Sequence, residues 1–323
     1  MESKTGIPRI AMEWPKMFEK LLASIPDKEQ LKGYAAILTF TVLVAGTFPL
    51  GAAAISNIEP AALVAARLLL ATVVFAVFLI IRHRNTAVLK PPPKFWRFLI
   101  FGGLLGFHFF SQFTALETSD PVSVGFIFTL VPLFSGIFAW LIVGQRLNIR
   151  EIGGILIAAT GTALLIFDGK LSNLFELNLG KGEILFLWGV AAYGLYSALV
   201  KYLSQGEAVD QFAFWTTVGA ALIVIPLSLQ SVSQVDWWGL AEADWLTIGY
   251  LAIVTTVITF MLTQYALIRI SAAKVTAMGY LVPLFVVLFE VASGVTQVNP
   301  YVAPASLLTV SGLVIMLLVK QQD

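Results

Sequence analysis

Apolar residues run along this chain in long blocks, with charged and turn-forming residues gathered between them. Ten blocks of about 17–25 residues fall near 33–55, 60–81, 96–116, 121–143, 150–167, 182–202, 210–230, 245–267, 272–292 and 302–319. Each is about long enough to cross a hydrocarbon core as a helix. The connections are mostly short and carry turn residues, as in Ser56-Asn57-Ile58-Glu59-Pro60 and Asn299-Pro300. The pattern predicts an all-α integral membrane protein with ten transmembrane helices. Residues 1–32 read differently. Trp14, Met17, Phe18, Leu21, Leu22 and Ile25 recur at three- and four-residue steps opposite Glu13, Lys16, Glu19 and Lys20, which predicts an amphipathic interfacial helix. Its apolar run is too short, and too mixed with acids, for a secretory signal.

The blocks are not independent. Leu-Val-Pro-Leu-Phe stands at 130–134 and again at 281–285, and from Ala115–Phe134 to Ala266–Phe285 8 of 20 positions agree without a gap at an offset of 151. The match relates predicted spans 3 and 4 to spans 8 and 9, five crossings later. An odd number of crossings reverses direction, so the two halves, 33–168 and 182–320, form an inverted repeat. Gly46 and Gly194 extend it at offset 148. Repeats of this kind place substrate near the midplane between the halves.

Composition and charge narrow the class. With 58% hydrophobic and 12% charged residues and a mean hydropathy of +0.87, the chain is too apolar for a soluble fold. Of the 20 Lys and Arg, 17 fall at the two termini or in alternate connections, which places both termini in the cytoplasm of a bacterial-type inner membrane. A net charge of +1 argues against a nucleic-acid partner. The lack of cysteine excludes thiol chemistry and disulfides, two histidines leave little for a metal site, and no phosphate-binding GxxxxGK[ST] loop occurs. The chain therefore reads as neither an enzyme nor a cofactor protein; its expected partners are the bilayer and a small-molecule substrate.

Ionisable and polar residues inside spans are costly and mark candidate sites. Arg67 is the deepest cation and meets either a substrate carboxylate or phosphate or the carbonyls of a neighbouring helix. His108 and Gln112 share one face of span 3. Trp188, Tyr193 and Tyr196 of span 6, Gln264 of span 8 and Tyr280 of span 9 offer aromatic walls and polar tips for substrate, or else plain packing. His108 and Glu290 are the candidates for proton coupling. Pro49, Pro132, Pro226 and Pro283 lie within spans; Pro49, Pro132 and Pro283 are candidate hinges, and Lys274 is a gate candidate or an interfacial anchor. Gly154, Ala158 and Thr162 form a small-residue stripe for close contact, within the monomer or in a homodimer.

These features converge on a family. Ala66-Arg67-Leu68-Leu69-Leu70-Ala71, the run from Ala115-Leu116 through Pro132-Leu133-Phe134 to Gly144-Gln145-Arg146-Leu147, the Gly153-Gly154 and Gly161 pattern and the second copy at Ala266-Leu267 and Pro283 resemble the EamA-like exporters of the ten-span drug/metabolite transporter superfamily. The resemblance covers roughly residues 33–319 and implies a central cavity between spans 1–4 and 6–9, with export of amino acids or other small metabolites. Gln145 departs from it, standing where the family usually has Glu, and Thr296 takes the equivalent place in the second copy. A sugar-phosphate or nucleotide-sugar exchanger would want several cavity cations, and a non-transporting membrane scaffold would leave the repeat unexplained.

Overall fold

The computed structural model describes residues 27–144, 149–166, 180–267, 269–270, 272–294 and 300–318, and among them there are helices and no strands. Most of the expected amphipathic helix of residues 1–32, together with Gln145 and Thr296, lies outside these residues. Eight helical stretches are long and apolar enough to cross a membrane, and two shorter apolar helices accompany them.

The first stretch is α1 (Lys28–Ala45) followed by α2 (Thr47–Ala54). It starts at a reciprocal cap: the Asp27 carboxylate accepts from the Gln30 N–H at 2.7 Å, and the Gln30 side chain accepts from the Asp27 N–H at 3.2 Å. The crossing therefore begins with polar Lys28, ahead of the apolar block. Next come α3 (Pro60–His83) and α4 (Trp96–Leu116). Then α5 (Pro121–Phe128) leads into α6 (Val131–Val143) and α7 (Ile149–Ile166). Pro60 and Pro121 sit in first turns, where a missing N–H costs nothing, and Asp120 caps α5 through the Ser123 N–H at 2.9 Å.

After residue 180 come α8 (Lys181–Leu203), α9 (Val209–Leu227), the short α10 (Leu229–Gln234) and α11 (Glu242–Gly249). A π-helical stretch, Tyr250–Ile258, joins α11 to α12 (Thr259–Leu267). Then α13 (Ala272–Ala277) passes through a 3-10 turn at Met278–Leu281 into α14 (Val282–Ala292), and α15 (Val302–Leu318) closes the described chain.

Four of the crossings are thus interrupted, and proline chemistry accounts for three interruptions. Pro132 and Pro283 are each the second residue after a break, in α6 and α14, and Pro49 follows the break at Gly46 by three residues. None can donate to the carbonyl four residues back, on Ala45, Phe128 or Gly279, so the ladder loosens there. Pro226, by contrast, is carried inside α9 near its end.

Helices α4, α8 and α9 run without a break, and α4 crosses each of the other two at contact distance. Gly102 of α4 lies on the backbone of Gly219 and Ala220 of α9, and a Cβ at either Gly102 or Gly219 would overlap main-chain atoms. Gly194 of α8 meets Phe134 and Ser135 of α6 in the same way. The stripe Gly154, Ala158 and Thr162 is also accounted for within the chain, since α15 covers it: Gly312 lies on Gly154 and Ala158, and the Thr162 and Thr309 hydroxyls are 3.5 Å apart.

Polar ties hold both ends of the bundle. At the end carrying Lys28, His83 and Leu203, the buried Arg97 donates to Glu207 and to the Leu203 carbonyl, each at 2.6 Å. Asp210 accepts His83 at 2.8 Å and Arg82 at 3.3 Å there, and Arg269 reaches Glu29 at 3.1 Å. At the opposite end Asn57 donates to both carboxylate oxygens of Asp244 at 3.2 Å. In each case the end of one helix, or the short link after it, is tied to the start of a helix from the other half of the chain.

Candidate functional site

Residues at all four interruptions line one cavity of about 200 Å³. Its wall takes Ile37, Phe40 and Val44 from α1, Thr47 from α2 and Arg67 from α3. Leu105, His108, Phe109 and Gln112 come from α4, and Phe128, Val131 and Pro132 from the α5–α6 break. From the second half come Tyr193, Tyr196, Ser197 and Val200 of α8, Thr255 and Thr256 of the π-helix, Phe260, Thr263 and Gln264 of α12, and Val275, Thr276 and Gly279 near the α13 break. On α1, α8, α12 and α13 these residues run from the breaks toward the end rich in Lys and Arg. The other end is shut by an apolar cluster that includes Phe48, Ile58, Leu63, Phe113, Leu116, Val124, Ile248 and Val286. The cavity is therefore one-sided.

Arg67 is held by the irregular backbone opposite it. In an α-helix the Thr259 N–H would take the Thr255 carbonyl, but here it bonds Val254 and Thr256. The skipped Thr255 carbonyl accepts Arg67 Nη2 at 3.0 Å, and Thr256 Oγ1 accepts Nε at 2.9 Å while donating to the Leu251 carbonyl at 2.8 Å. The Phe109 ring lies flat against the guanidinium, with Cζ 3.8 Å from its centroid. Arg67 is 1% exposed, and its third nitrogen, Nη1, is buried with no hydrogen-bond partner. No Asp or Glu is in the cavity wall among the described residues, so this cation has no counter-charge there.

His108 is fixed by aromatic neighbours. Its ring stacks on Tyr193 at 4.8 Å between centroids, with Phe186 at 5.5 Å and Phe128 at 6.0 Å. Nδ1 is 3.2 Å from the Gly189 carbonyl, which can only accept, so Nδ1 carries a proton. Tyr193 in turn stacks on Tyr196 at 5.6 Å, giving an aromatic wall on α8.

Of the residues expected from sequence, the structure gathers Arg67, His108, Gln112, Pro132, Tyr193, Tyr196 and Gln264 around this one space. It leaves others outside. Trp188 is 67% exposed on the outer surface of α8, because Phe186, Gly189 and Val190 take the inward positions of that turn. Tyr280 is buried, but in the packing around the α13–α14 break, where its carbonyl meets the Thr162 hydroxyl at 3.4 Å. Glu290 is buried two residues from the end of α14, away from the cavity, and Lys274 and Pro49 do not line it. Pro283 also lies just outside the wall, next to the break it helps to cause.

Sequence reading passed over the threonines. Thr255, Thr259 and Thr263 recur at four-residue steps with Thr256 beside them, and together they make one polar face of an otherwise apolar stretch. That spacing was the available signal. Nothing in the sequence marked Phe109 as the cover of Arg67, since that contact depends on how α3 and α4 meet.

The model of the EamA-like transporter family matches residues 31–167 and again 180–318. This chain belongs to the EamA-like transporter family. Among its relatives, the uncharacterized transporter YyaM of Bacillus subtilis is 23% identical over 88% of this chain and 93% of its own length. The aromatic amino acid exporter YddG of Ancylobacter novellus is 25% identical over 90% of this chain and 98% of its own. A crystal structure superposes with a TM-score of 0.68 at 20% identity, covering 90% of this chain and 95% of that one, so the fold is shared. This EamA-like chain is accordingly a multi-pass membrane protein of a transporter family, and its cavity lies where both matched halves contribute.

Proposed function

We propose that the protein is a secondary transporter that exports a small organic metabolite, an amino acid or a close relative, by alternating access. In this reading the ten helices cross the inner membrane as two inverted five-span repeats with both termini in the cytoplasm, and the cavity faces the cytoplasm. The single observation that carries it is the one-sided cavity at the level of the helix breaks, roofed by an apolar cluster and walled by both halves. The double family match and the paired Leu-Val-Pro-Leu-Phe breaks support the repeat. The relative that exports aromatic amino acids supports the substrate range. A sugar-phosphate exchanger fits less well, because Arg67 is the one Lys or Arg in the described cavity wall.

Counterflow in proteoliposomes tests the reading. Vesicles preloaded with a mixture of unlabelled amino acids and small carboxylates should accumulate a labelled member of the mixture transiently, and protein-free vesicles should not. Absence of accumulation for every labelled solute, with correctly folded protein, would reject transport.

A further inference from the structure

The charge inventory of the cavity says more about the solute than its size does. Resting on the transport reading above and narrowing it from free amino acids to their relatives, we infer that the preferred solute is a net monoanion: a carboxylate on an apolar or aromatic body, without an uncompensated ammonium group. Arg67 has two of its three nitrogens committed to Thr255 and Thr256, while Nη1 is buried and unpartnered. A buried guanidinium stays charged, so an unpaired one invites an anion. Nη1 carries two N–H groups, which suit one carboxylate. A phosphate dianion would want a second cation, and the described wall has none.

The rest of the described wall carries no acidic side chain. His108 donates from Nδ1 to the Gly189 carbonyl. The remaining polar groups are hydroxyls and amides, so no carboxylate among the described residues faces the space to meet an ammonium. A zwitterion would bring its ammonium within a few ångströms of a fixed positive charge in a medium of low polarity, where like charges repel strongly. An acid lacking that group, or with it acylated, escapes the repulsion. The Phe109 ring covers the face of the guanidinium, and a carboxylate would meet Nη1 in the guanidinium plane, where its N–H groups point. The apolar body then rests against Tyr193 and Tyr196.

The test uses the full-length protein in detergent and four probes that share one ring: phenylacetate, N-acetylphenylalanine, phenylalanine and phenylalanine amide. Dissociation constants come from calorimetry or from ligand-dependent melting. The two monoanions should bind at least tenfold more tightly than phenylalanine, and the amide should not bind measurably. Arg67→Lys, which keeps the charge but not the planar fork, should weaken the monoanions tenfold or more. Equal affinity for acid and amide overturns the inference, as does a preference for phenylalanine over its N-acetyl derivative or failure of all four to bind. The ligand comparison within the unmutated protein decides the matter even if Arg67→Lys does not fold. Counterflow separates this result from the transport reading. Monoanion binding without flux leaves the anion rule standing and removes transport, whereas flux of the amide keeps transport and removes the rule.

Discussion

At the residue scale, Arg67 is a charge clamped by one irregular stretch of backbone, and the clamp can be measured. Thr256→Val removes the acceptor of Nε and leaves a buried donor unsatisfied, at a cost of about 1–3 kcal/mol. Thermal unfolding should show it, and Arg67→Leu combined with Thr256→Val should cost less than the two changes summed, because the pair is coupled. Trp188→Leu should leave ligand-dependent melting unchanged, since that side chain faces away from the cavity. A second residue-scale test concerns pH. Burial pushes the Glu207 carboxyl up, but the N–H groups of Gln205 and of Glu207 itself, and then Arg97, outweigh it and hold it below the usual carboxylate range. A depressed folded value means the ion pair contributes fully above the unfolded pKa of about 4.3 and is lost as pH falls through the folded one. Glu207→Gln should therefore destabilise the protein by about 3 kcal/mol at neutral pH, with the gap closing in acid. Much of this layer was legible beforehand. Arg67, His108, Gln112, Tyr193, Tyr196 and Gln264 stand out because polar groups in apolar blocks are conspicuous. Trp188 and Tyr280 lie outside the wall, and their place was not legible because an aromatic residue suits lipid, core or ligand equally and only the rotation of its helix decides which it meets.

At the element scale, the blocks of apolar residues located every long helix, and Pro132 and Pro283 located two breaks. The π-helix at Tyr250–Ile258 was not legible. No proline or glycine lies within it, and the Thr255 carbonyl that the Thr259 N–H skips is taken by an arginine from another helix, a contact made only in the assembled bundle. The tight crossing of α4 and α9 gives a sharper prediction. Gly102→Leu places a side chain into the backbone of Gly219 and Ala220, which nothing short of helix displacement can relieve. It should cost more than about 3 kcal/mol and remove the monodisperse peak in size-exclusion chromatography. At the neighbouring Gly103 an added Cβ meets only the end of the Ile223 side chain, so Gly103→Ala should leave that peak in place.

At the scale of the whole molecule, a cavity closed at one end predicts one-sided chemical access. The chain has no cysteine, so single cysteines report cleanly. Thr263→Cys and Ser197→Cys, in the cavity wall, should react with an impermeant thiol reagent in inside-out vesicles and not in right-side-out ones. Val124→Cys and Ile248→Cys, inside the closing cluster, should stay unlabelled from either side in the same state. The distribution of breaks then bears on how such a molecule moves. Helices α4 and α9 are unbroken and locked together through glycine, while the crossings that begin with α1, α5, α11 and α13 each contain a compliant joint. Two bodies loaded in series divide a displacement in inverse proportion to stiffness. Most of the travel should thus fall to the jointed set, with the glycine-locked set acting as the anvil against which it levers. Spin-label distances between conformers should change across α1, α12 and α13 and stay nearly constant between α4 and α9.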